Sequence, residues 1–232
     1  MALEGRVLLI SSSNVYGYGY LDQPEPEIRR FLSGRKRILF IPFAVLDCEG
    51  YTRTMAERLG RMGFEVAGIN GSGDLGAADA IFVGGGNTWR LLLTLYDRNL
   101  LEPIRDAVRN GLPYVGSSAG SNIAAPTIRT TNDMPIVEVP SMDALGLVPF
   151  QINPHYLDPD PQSTHMGETR EERIAQFHEE SVTPVVGLRE GTMLRVEGGT
   201  TMLLGVTAAR IFRRGQPPVE VEPGRTIDEY LR

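Results

Sequence analysis

The chain has 232 residues, 41% of them hydrophobic, and a formal net charge of −6. That length suits one α/β core spanning residues 1–232, and the dispersed acidic residues offer no basic stripe for nucleic acid and no apolar run long enough for a membrane. One cysteine, Cys48, excludes an internal disulfide and fits a reducing cytoplasm, and the N-terminus lacks the pattern of an export signal.

In chain order, residues 7–10 (VLLI) are a continuous aliphatic run, which predicts a central parallel strand, and Ser11-Ser12-Ser13-Asn14 follow as a loop. Residues 16–26, with Gly17, Gly19, Pro24 and Pro26, read as loop, and residues 27–33 as a short helix stopped by Gly34. Residues 38–43 predict a second buried strand. Residues 52–62 predict a helix carrying Met55, Leu59 and Met62 inward, with Gly63 at its end. Residues 64–69 and 80–83 predict two more strands, and Asn87 or Thr88 is placed to cap a helix over 89–97. A helix over 101–110 ends at Gly111 and Pro113, and Leu112, Tyr114 and Val115 open the next strand. Residues 137–148 read as irregular, and 170–180 as a charged helix with Ile174 and Phe177 facing in. Residues 185–188, 193–196, 202–204 and 209–212 are closely spaced short strands, which predicts an antiparallel edge. The expectation is an α/β fold with one mixed, mostly parallel sheet covered by helices. Residues 224–232 fit no element.

The stretch after Val115 carries the chemistry. Gly116-Ser117-Ser118-Ala119-Gly120 is a G-x-S-x-G pattern between a strand and a small-residue helix. A serine on such a turn is pushed outward, with helix N–H groups aimed at it. Only Ser118 fits the spacing, because Ser117 would need glycine where Val115 stands. Gly84-Gly85-Gly86 lies just past another strand end, and there Gly85 or Gly86 could supply one oxyanion donor with the Ala119 N–H as the other. Gly71, Gly73 and Gly76 match a dinucleotide pattern. Only residues 77–79 separate them from the next strand, which leaves no room for a phosphate-capping helix.

A serine nucleophile needs a base, and the base an orienting acid. Of the three histidines, His178 sits among Phe177, Glu179 and Glu180 on the charged helix and reads as solvated. His165 lies in a polar stretch. His155 follows residues 151–154, a strand broken by Pro154, so it stands at a strand end downstream of the serine and is the favoured base. Asp133, downstream of the serine helix, and Glu190, on the turn after residues 185–188, both qualify as the acid, and spacing does not separate them.

Residues 116–137 (GSSAGSNIAAPTIRTTNDMPIV), 151–156 (QINPHY) and 167–174 (GETREERI) resemble dipeptidase E, or α-aspartyl dipeptidase, of serine peptidase family S51. The resemblance extends to residues 40–44 (FIPFA) and 83–88 (VGGGNT). It implies a cytoplasmic, metal- and cofactor-independent serine dipeptidase acting on small peptides with an N-terminal aspartate in α-linkage. It also implies a three-layer α/β sandwich akin to class I glutamine amidotransferases, and is compatible with a homodimer. Carried over, Ser118 is the nucleophile, His155 the base, and Glu190 or Asp133 the acid. Our choice is Glu190, with Asp133 shaping the substrate pocket. The turn 187–191 reads GLREG, with Arg189 where proline is usual. Aspartate recognition asks for a guanidinium, Arg170 first and Arg129 second. Asp133 or Glu168 would take the ammonium, and Asn87 and Thr131 complete the expected substrate-binding set. Residues 156–167 are expected to form a lid. Rival readings are an isoaspartyl or polyaspartate peptidase of the cyanophycinase kind, an esterase, and a non-catalytic amino-acid binder.

Overall fold

The computed structural model describes residues 5–162, 164 and 166–231. Its centre is a sheet of seven strands. Four of them, β1 (Val7–Ile10), β2 (Arg37–Ile41), β4 (Ala80–Val83) and β5 (Tyr114–Ser117), are almost wholly buried, and β3 (Glu65–Gly68) forms the exposed edge. The order is β3-β2-β4-β5-β1, all parallel, continued by β8 (Thr192–Glu197) and β9 (Thr200–Gly205), both antiparallel.

The period-two alternation of strands sorts the core into two layers. Leu8, Ile10, Ile38, Phe40, Phe82 and Val115 face α1 (Glu25–Phe31) and α2 (Cys48–Arg61), which bury Ile28, Phe31, Met55 and Leu59. Val7, Leu9, Leu39, Ile41, Ile81 and Val83 face the other way. There they meet Leu91, Leu92 and Leu95 of α3 (Thr88–Asp97) and Ile104 and Val108 of α4 (Leu101–Arg109).

The expectation of one sheet is corrected. A second sheet of four strands, β11 (Val219–Val221), β10 (Ala209–Phe212), β7 (Val185–Leu188) and β6 (Gln151–Pro154), stands apart from the first. Only β6 and β7 are parallel in it. Its strands are sandwiched. Ile152, Val186, Leu188 and Ile211 join the cluster that holds Leu194 and Val196, whereas Val185 and Phe212 pack on Ile174 and Phe177 of α6 (Arg170–Glu180). Strands buried on both faces carry no mark of which sheet they pair with, so the sequence pattern merged the two.

His178 is also corrected: it is buried, with Nδ1 at 3.1 Å from the Ser181 carbonyl. The C-terminal stretch runs beside β9, where Leu203 N–H donates to the Arg225 carbonyl and Ile227 is fully buried. No helix among the described residues is long and apolar enough to cross a membrane.

Candidate active site

Because β5 lies between β4 and β1, its end falls between the glycine turn after Val83 and the serines after Ile10. The ladder runs one step past the strand, with Ser118 N–H donating to the Ile10 carbonyl at 3.0 Å. The chain then reverses into the four-residue α5 (Ala119–Asn122), and Ser118 takes φ 53 and ψ −111 to do so. A non-glycine residue with positive φ is held there by its surroundings. Sterics explain the flanking glycines. A β carbon at 120 would lie 2.2 Å from the Val83 carbonyl oxygen, and one at 116 would lie 2.4 Å from the Gly120 carbonyl oxygen. Ser121 Oγ sits between the Ile10 and Gly116 carbonyls at 2.7 and 2.8 Å, and Asn122 Nδ2 donates to the Ile152 carbonyl at 2.7 Å. The short helix is thereby stitched to β1, β5 and β6.

His155 follows β6 directly, at φ 52. Its N–H donates to Ser11 Oγ at 3.0 Å, and that hydroxyl donates to the Leu188 carbonyl at 2.8 Å. Tyr156 N–H reaches the same carbonyl at 2.9 Å. These bonds aim the imidazole so that Nε2 is 2.8 Å from Ser118 Oγ and Nδ1 is 3.0 Å from Glu190 Oε1. A carboxylate only accepts, so Nδ1 carries the proton and Nε2 is the acceptor for the serine hydroxyl. Ser118 therefore comes from the first sheet, and His155 and Glu190 from the second.

Arg189, beside Glu190, forms paired bonds to Asp158 at 2.7 Å and to Glu220 at 2.8 and 2.9 Å, and its guanidinium lies 5.5 Å from the Tyr156 ring centre. Asp158 and then Glu220 push the arginine's pKa up, and Arg189 in turn holds both carboxyls below their usual range. This arginine links the strand ends that carry His155 and Glu190.

Asp133 does not meet His155. Its Oδ2 accepts from Thr88 N–H at 2.7 Å and Thr88 Oγ1 at 2.6 Å, at the start of α3. Thr131 Oγ1 donates to Thr88 Oγ1 at 3.1 Å. Asn87 caps α3 through Arg90 N–H at 3.0 Å and donates to the Met134 carbonyl at 3.0 Å. Arg170 opens α6 and lines a cleft with Asn132, Leu157, Asp158 and Glu168. It has no ion pair among the described residues, and burial, reinforced by Arg173, lowers its pKa while Asp133 opposes the shift. Glu168 accepts from Gln176 at 2.7 Å. Arg129 is exposed over a different hollow, lined by Trp89 and residues 135–143. Of residues 156–162 at the expected lid, Leu157 is exposed and Asp158 is tied to Arg189, and His165 lies outside the described residues.

Gly85 N–H donates to Tyr51 Oη at 3.0 Å. Among the described residues the Gly86 and Ala119 N–H groups have no protein acceptor. Tyr51, Ser11 and Asn132, which donates to the Pro154 carbonyl at 2.7 Å, were missed by the sequence reading. Only the serine run after β1 signalled any of them, and it read as a loop.

The family model "Peptidase family S51" matches residues 7–204. A Streptomyces coelicolor protein named peptidase E is 53% identical over 97% of this chain and 94% of its own. A Drosophila melanogaster protein named "Probable alpha-aspartyl dipeptidase" is 47% identical over 96% of both chains. The crystal structure of a peptidase from an acI-B1 Actinobacterium shares the fold, with TM-score 0.70 over 96% of each chain at 18% identity. With the family model covering the first sheet almost to its end, β6 and β7 of the second, and Ser118, His155 and Glu190, this chain belongs to peptidase family S51.

Proposed function

We propose that this protein is a serine dipeptidase that hydrolyses dipeptides bearing an N-terminal aspartate in α-linkage, with Glu190 rather than Asp133 as the acid that orients the base. The relay of 2.8 Å from Ser118 to His155 and 3.0 Å from His155 to Glu190 carries this reading. The likeness to the named aspartyl dipeptidase supplies the substrate.

Nε2 of His155 takes the Ser118 proton as Oγ attacks the scissile carbonyl, and Glu190 stabilises the imidazolium. The Gly86 and Ala119 amides receive the oxyanion. Collapse breaks the C–N bond, and the imidazolium protonates the departing amine. Water, deprotonated by the same ring, then attacks the acyl ester, and as the acyl C–Oγ bond breaks the imidazolium returns the proton to Ser118 Oγ. On the substrate's N-terminal side, Arg170 pairs the aspartate side chain through its planar fork, and Asp133 draws the ammonium toward the start of α3. The lone Cys48 fits work in a reducing cytoplasm.

A panel of Asp-Leu, Leu-Leu, N-acetyl-Asp-Leu and isoAsp-Leu tests the substrate, with Ser118→Ala alongside. Cleavage of Asp-Leu alone, abolished in Ser118→Ala with folding intact, is the expected result. Equal rates on all four, or an active Ser118→Ala, would overturn the reading.

A further inference from the structure

The glycine turn beside the nucleophile is held by a residue that the relay does not include. Tyr51 stands on the first turn of α2, on the sheet face opposite α3, and its Oη accepts the Gly85 N–H at 3.0 Å. Its ring meets Phe40 edge-on at 5.0 Å and 88°. Gly84 is bare because Tyr51 fills the space. A β carbon there would lie 2.7 Å from Tyr51 Oη and Cε1 and 2.9 Å from Phe40 Cζ. Gly85 in turn presses on the nucleophile, since its β carbon would lie 3.1 Å from Ser118 Cβ. One phenol thus fixes the peptide that abuts the attacking serine.

The phenol has a second, partly buried neighbour in Tyr20. The Tyr20 hydroxyl is enclosed beside it, and burial, reinforced by Tyr51, pushes its pKa up. Burial likewise raises Tyr51, so both phenols stay protonated at neutral pH. As the phenol oxygen engages Gly85, that amide is not free to receive an oxyanion, and Gly86 is the turn's remaining donor.

We propose that Tyr51 is a positioning residue for the oxyanion hole. By accepting the Gly85 N–H it locks the 84–86 turn so that the Gly86 N–H is aligned beforehand with the oxygen that turns negative when Ser118 attacks. This rests on the serine-peptidase reading above. A preorganised donor contributes only as charge develops, so its misalignment lowers kcat and spares ground-state binding.

The test is Tyr51→Phe, which deletes one oxygen. Two readouts apply: kcat and KM on Asp-Leu, and the second-order rate of labelling by a fluorophosphonate, whose attack by Ser118 also builds negative charge on oxygen. We expect kcat and the labelling rate to fall together by about 10- to 100-fold, the scale of a weakened oxyanion donor, with KM within about twofold. Rates within twofold of wild type would overturn the proposal. So would a loss confined to KM, or a fall in Tm of more than about 10 °C, which marks the hydroxyl as a stability element. Labelling needs no dipeptide, so a wild-type enzyme that labels but ignores Asp-Leu refutes the substrate while the labelling rate still judges Tyr51. A wild-type enzyme that does not label overturns both.

Discussion

Gly85→Ala isolates the cost of crowding the nucleophile. Gly85 does not have positive φ, so alanine adopts the same backbone without strain, unlike Gly86 at φ 133. The added methyl would sit 3.1 Å from Ser118 Cβ, 3.4 Å from the Ser117 carbonyl oxygen and 3.6 Å from Ser118 Oγ. Carbon atoms rest at about 3.5–4.0 Å, so serine and turn must part by about half an ångström. That matches the tolerance within which a catalytic constellation stays productive, and a shift of about 1 Å costs roughly 100-fold. We therefore expect kcat/KM on Asp-Leu to drop by about 10- to 100-fold and stability to fall by about 1 kcal/mol, the low end for added bulk. Steady-state kinetics and thermal unfolding on the same preparation read both. A kcat/KM within twofold of wild type would refute the claim that the turn and the serine are in tight register.

Three further outcomes follow from the same geometry. Gly120→Ala puts its methyl 2.2 Å from the Val83 carbonyl oxygen and should destabilise by about 3 kcal/mol or more, seen as lost soluble yield or a large drop in Tm; a normal Tm would contradict it. Glu190→Gln should lower kcat/KM by roughly 100-fold, less than the about 10⁴-fold for a buried triad acid, because this carboxylate is 48% exposed; wild-type kinetics would point the acid role elsewhere. Arg189→Gln should cost no more than about 1 kcal/mol per exposed ion pair. Asp158 and Glu220 have lowered folded pKa values, so their stabilisation is fully present above the usual carboxylate range of about 4 and fades as pH falls through the folded values. Urea unfolding should show a wild-type advantage that is flat from about pH 8 to 5 and shrinks below about pH 4; an advantage that grows with acid would refute the pairing.

The elements with one buried character were readable. The aliphatic runs at β1, β2, β4 and β5 form strands near the expected residues, and the glycine pattern at 116–120 marks the turn at Ser118 through contacts that a β carbon would break. The side chain of His155 was legible from its place after Pro154. Which carboxylate meets His155 was not, because it depends on β6 lying beside β7, a long-range pairing that short buried strands do not advertise. Tyr51 was invisible for a related reason. Its position in α2 looks like any helical tyrosine, and only the packing of α2 against β2 and β4 brings the hydroxyl to Gly85. His178 shows the reverse error, a residue surrounded by charge in sequence yet enclosed in three dimensions.

The separateness of the two sheets has a mechanical consequence. His155 and Glu190 follow the ends of neighbouring parallel strands, so the width of one backbone ladder sets their spacing. The serine rides on the other sheet, and beside the apolar cluster the two share, the Ser11 hydroxyl and Asn122 amide pin them together. Loosening that seam would pull the hydroxyl away from the imidazole while the imidazole kept its carboxylate, leaving a poised pair with nothing to deprotonate.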